Sequence, residues 1–156
     1  MPIILICKLK THFMNNDQPS SPFYRALMTA VFVGFVVTII CLFYNLYYRG
    51  TTDFIPADII NVSSLIFGVN TFFVLAGLAY ALFIRGRAGD LIHMAVFVLL
   101  TLFCVWRAQF AVRSDDPLTN AEFKSLLTAI ILIVGLSASF AIPFLFRNKT
   151  FEKDVV

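Results

Sequence analysis

Apolar positions in this chain run in long unbroken stretches and do not alternate with polar ones. Four such stretches stand out, at 26–48, 59–84, 91–105 and 126–146. Three reach the ~20 residues a helix needs to cross a ~30 Å hydrocarbon core, and the third in order reaches it with its flanks. Lipid offers no hydrogen bonds to a backbone, so segments of this kind cross it as helices that satisfy their own N–H and C=O groups. The pattern predicts an all-α polytopic membrane protein, an up-down bundle of four transmembrane helices. The expected division is an N-terminal tail over 1–25 suited to the interface, a transmembrane domain over 26–146 (spans about 26–48, 59–84, 91–107 and 124–146), and a tail over 147–156.

Boundary residues support these spans. Ser21-Pro22 predicts a helix cap followed by proline at the first turn, where its missing N–H costs nothing. Tyr44, Tyr47 and Tyr48 close the first span and Trp106 the third, as aromatic anchors with a polar edge at headgroup level. Asp58 is placed to cap the second helix. Arg85-Gly-Arg-Ala-Gly89 is a turn too short for anything but antiparallel neighbours. Before the fourth span, Thr119-Asn-Ala-Glu122 fits a capping box, with Leu118 and Phe123 as its staple. Pro143 predicts a kink or an end to that helix. The apolar start of the chain precedes its first charges, the reverse of a signal peptide.

Charge then orients the bundle. The side holding both tails and the 85–89 turn carries Lys8, Lys10, Arg25, Arg85, Arg87, Arg147, Lys149 and Lys153; the other carries Arg49, Arg107, Arg113 and Lys124. Eight against four predicts cytoplasmic termini. With no processed leader, the expected compartment is a bacterial plasma (inner) membrane. Arg85, Arg87, Arg147 and Lys149 are the principal orientation charges, within reach of anionic headgroups.

Composition agrees with this picture. Of 156 residues, 60% are hydrophobic and 13% charged, against about 25% charged in soluble domains. The 18 Phe exceed what four helices bury among themselves, so many face lipid or another subunit. A net charge of +3, spread over short tails, does not predict nucleic-acid binding. Cys7, Cys41 and Cys104 form no CxxC pair and read as small buried thiols.

Candidate chemistry is sparse. No Asp, Glu, Lys or Arg lies near a span centre, which argues against a proton-coupled transporter, since such proteins carry the proton on a membrane acid or base. Asn70 is the most informative polar residue, near the middle of the second span with Thr71 beside it. An unpaired amide in hydrocarbon is costly, so Asn70 should face another helix or a cavity. Gly77-x-x-x-Ala81 and Gly135-x-x-x-Ser139, with Ser137 nearby, are small-xxx-small patterns that permit close helix approach. His93 reads as an interfacial, helix-terminal polar group. With His12 in the tail it makes no axial pair for a haem, and no grouping of His, Cys and carboxylates predicts a metal site. No His–acid pair accompanies Ser63, Ser64, Ser137 or Ser139, so no catalytic residue and no cofactor is expected.

The expectation is a non-catalytic integral membrane protein, an accessory or structural subunit or assembly factor of a larger membrane complex. Its partners would be the lipid bilayer, other membrane subunits or further copies of itself. The alternative is a small oligomeric channel or transporter for a neutral or apolar solute, lined by Asn70, Thr71, Ser137 and Ser139.

Overall fold

The computed structural model describes residues 21–52, 61–84, 86, 88–112 and 116–148. Residues 1–20 and 149–156, with Asp58, Arg85 and Arg87, lie outside the described residues. Four helices are long and apolar enough to cross a membrane: α1 (Pro22–Thr52), α2 (Val62–Phe83), α3 (Gly89–Ala108) and a fourth running from Pro117 to Arg147. The fourth is continuous but has three parts: α4 (Pro117–Leu136), a π-helical turn (Ser137–Ala141) and α5 (Ile142–Arg147). The described residues contain no strand. The chain is an all-α four-helix bundle built to cross a bilayer.

Local chemistry sets where the helices begin. At α1 the Tyr24 N–H donates to Ser21 Oγ at 3.2 Å, with Pro22 in the first turn. At α2 a reciprocal box forms three positions beyond Asp58, the cap expected from sequence: Asn61 Oδ1 accepts from the Ser64 N–H at 2.7 Å, and Ser64 Oγ accepts from the Asn61 N–H at 3.1 Å. The fourth helix starts earlier than the expected Thr119 box. Asp116 is its cap, accepting from the Thr119 N–H at 3.0 Å and the Thr119 hydroxyl at 2.6 Å, with Pro117 next. A carboxylate outcompetes a hydroxyl here because its charge also favours the positive helix end.

Packing follows the small residues. On α1 the buried stripe runs Ala26, Ala30, Val33, Val37 and Cys41, the three- and four-residue spacing of one helix face. Against it lie Ala76, Gly77 and Ala81 of α2. A Cβ on Gly77 would sit 2.6 Å from the Ala30 methyl, and one on Gly34 would sit 2.8 Å from Phe73 Cβ. These pairs let α1 and α2 approach closely. Between α3 and α4 the close approach is Gly135 against Thr101, where any side chain on the glycine would overlap the threonine. Gly77, Ala81 and Gly135 thus pack within the chain.

The 83–89 turn is equally tight, because a Cβ on Gly89 would collide with the Phe83 carbonyl. At one end of the bundle the Arg25 guanidinium donates to the Phe146 carbonyl at 3.4 Å and stacks 4.9 Å over the Phe146 ring. At the other end the Tyr48 hydroxyl donates to the Glu122 carbonyl at 3.1 Å. Both contacts tie α1 to the fourth helix, and the first shows that the beginning of α1 and the end of α5 lie on the same side.

Candidate functional site

Two groups of polar side chains interrupt the apolar bundle. The first lies near the end that holds the 83–89 turn. His93, four residues into α3, is completely buried, not interfacial as its position suggests. Its ring sits among Tyr80, Phe83 and Phe97, at centroid distances of 4.9, 6.2 and 4.3 Å. His93 Nε2 donates to the Ala138 carbonyl at 3.1 Å, while Nδ1 has no partner.

The Ala138 carbonyl needs that donor for a reason written in the sequence. Ala138 lies in the π turn, where a carbonyl looks five residues ahead for its N–H. Five residues ahead is Pro143, which has none. His93 supplies the missing hydrogen bond from another helix.

Beside this pair, the Tyr80 hydroxyl donates to Asp90 Oδ1 at 2.9 Å, and Asp90 makes an ion pair with Arg147. Tyr80, Asp90 and Arg147 join α2, α3 and α5. Next to them a groove of about 1110 Å³ opens between the start of α3 and the π turn, walled by Leu91, Met94, Leu136, Phe140 and Phe144, with Ser137 on its lining.

The second group lies at mid-depth. Asn70 uses both amide hydrogens: Nδ2 donates to Thr38 Oγ1 of α1 at 3.0 Å and to the Ile66 carbonyl at 2.7 Å. Thr38 in turn donates to the Gly34 carbonyl at 2.7 Å, Thr101 to Phe97 at 2.7 Å and Ser139 to Gly135 at 2.8 Å. These hydroxyls satisfy themselves on their own helices. Thr71 faces outward beside a shallow hollow of about 400 Å³. An apolar crevice of about 240 Å³ separates α2, α3 and α4 and is lined in part by Phe72, Cys104 and Gly135.

The residues nominated from sequence as one polar path are therefore divided. Asn70 ties α2 to α1, Thr71 points out, Ser137 lines the groove and Ser139 is buried on its own helix; no hydrogen bond joins the α2 pair to the serines. Of the aromatic anchors, Tyr47 is exposed, Tyr44 and Tyr48 pack with rings 6.1 Å apart, and Trp106 is exposed between Phe103 and Phe110. Among the described residues no three His, Cys or acidic side chains gather as metal ligands.

Fold and polar groups together define a polytopic α-helical membrane protein whose buried polar side chains link its helices. No protein-family model, no curated protein and no solved structure matches the chain.

Proposed function

We propose that this protein is a non-catalytic membrane component that works by contact with other membrane chains, as an accessory or structural subunit or an assembly factor. The observation that carries this reading is the division of labour between inside and outside. Polar side chains at bilayer depth hold helix to helix, as Asn70 does with Thr38 and His93 with Ala138. Phe73, Tyr80 and Phe97 fill the core, while other large aromatic side chains are turned out, with Phe35, Phe43 and Phe67 exposed by 61%, 69% and 77%. Lipid accepts such a surface, and so does a neighbouring transmembrane helix. Engagement of both Asn70 amide hydrogens favours a packing role for it over a path-lining one. The basic bias of the side holding both tails supports cytoplasmic termini, and a bacterial inner membrane is the compartment we assign.

Extraction from native membranes in several mild detergents tests the proposal. A second membrane protein in fixed ratio is expected, and it should be lost from Phe35→Ser or Phe43→Ser chains that still fold. Recovery of a lone monomer in every detergent would overturn the reading.

A further inference from the structure

The outward face of α2 is polar at one point near its middle. It carries hydrogen-bonding capacity that the chain itself leaves unused. Asn70 spends both amide hydrogens inside the protein, so its Oδ1 acceptor is left over on the edge of the hollow. Thr71 is exposed in the same hollow and its hydroxyl makes no hydrogen bond among the described residues, unlike Thr38, Thr101 and Ser139. A free acceptor and a free donor therefore sit side by side near the middle of a 22-residue transmembrane helix. Hydrocarbon satisfies neither, so both call for a polar partner at the same depth.

We infer that this face is a self-association surface, occupied by α2 of a second copy of the chain. Two copies insert with the same orientation, so a two-fold axis relating them runs along the membrane normal and brings residues of equal depth together. Asn70 and Thr71 are neighbours in sequence and differ in depth by only about 1.5 Å. Across that axis the Thr71 hydroxyl of each copy donates to Asn70 Oδ1 of the other. One donor and one acceptor per chain are consumed in a closed pair, and none is left facing lipid. The apolar walls of the hollow, Phe67, Val74 and Leu75, supply the packing on which such helix contacts depend. Gly68, which has open space beside it, puts no side chain in the way on the flank toward α3. This deepens the contact-protein reading by naming one of the contacts.

The test uses the purified full chain in phospholipid vesicles. In a background with Cys7, Cys41 and Cys104 replaced by Ala, Val74→Cys on the wall of the hollow should form an intermolecular disulfide under mild oxidant several-fold faster than Leu99→Cys, a more exposed position on α3. In the otherwise unaltered chain, Thr71→Val should weaken dimerisation, read by energy transfer between labelled copies at increasing dilution in lipid. The expected effect is about tenfold, from two reciprocal bonds of the size found between membrane helices. Thermal unfolding should not change. Equal cross-linking at 74 and 99, or a dimer constant indifferent to Thr71→Val, would overturn the inference. Only the purified chain is present, so failure here leaves the co-purification result standing, and a foreign partner found there does not rescue self-association.

Discussion

His93 Nε2 and the Ala138 carbonyl meet at 3.1 Å across α3 and the fourth helix. The bond fills a vacancy that Pro143 creates. A proline inside a helix withholds one N–H and crowds the carbonyl four residues earlier. Here the helix widens into the five-residue π turn just before it, and the carbonyl left over is capped from outside. Irregularities in long helices trace to such local causes, and a single imidazole caps this π turn from outside.

Replacing that imidazole should therefore cost stability. His93→Phe keeps an aromatic ring among Tyr80, Phe83 and Phe97 but leaves the carbonyl bare. Unfolding in detergent micelles should show a loss of about 1–3 kcal/mol, the range for an orphaned buried acceptor. His93→Gln, which retains a donor, should lose less.

The α1–α2 contact gives a prediction with a built-in rescue. Gly77→Ala places a methyl 2.6 Å from the Ala30 methyl, and overpacking of this kind costs about 1–3 kcal/mol. Adding Ala30→Gly removes the clash, so the double variant should recover most of the lost thermal stability.

Asn70 and Thr38 should couple weakly. A double-mutant cycle of Asn70→Leu and Thr38→Val is expected to give an interaction energy of about 0.6 kcal/mol and no more than about 1.7. Unfolding midpoints of the four variants measure it. A value near zero would remove this bond from the interhelical contacts.

Asp116 makes the cap at the fourth helix sensitive to acid. Hydrogen bonds from the Thr119 hydroxyl and N–H, and from the Leu118 N–H, hold its carboxyl below the ordinary aspartate value. A folded pKa below the unfolded one means the stabilisation is present above the unfolded value, about 4. It is lost as pH falls through the folded value. The Thr119 amide resonance should shift in that acidic window in the native chain and stay flat in Asp116→Asn.

The four spans were legible in the sequence because lipid imposes one demand on every residue that meets it, and an uninterrupted apolar run answers it. Ser21-Pro22 was legible for a local reason, since cap and proline act within one turn. The fourth helix's start was misread because Thr119 and Glu122 match a familiar motif, while Asp116 three residues earlier accepts from the Leu118 and Thr119 N–H groups and starts the helix before the motif. His93 was misread because a lone histidine near a span end says nothing about what it faces; its acceptor is 45 residues away. One signal was available in hindsight. Pro143 inside a long apolar run leaves a carbonyl in need of a donor, and His93 is the one imidazole inside a span. Gly77 and Gly135 announced close contacts but not with whom, since helix patterns carry no address.

The ties at the two ends of the bundle have a consequence for biogenesis. Arg25 lies in the first turn of α1, yet its acceptor at Phe146 is 121 residues downstream, and Tyr48 waits for Glu122, 74 residues on. During synthesis the first three helices enter the bilayer before either of those acceptors has been made. The bundle is complete only when the last helix arrives, so a chain cut before residue 117 leaves an open, three-helix sheaf. Membrane quality control would meet that species as a bundle lacking both ties to its fourth helix.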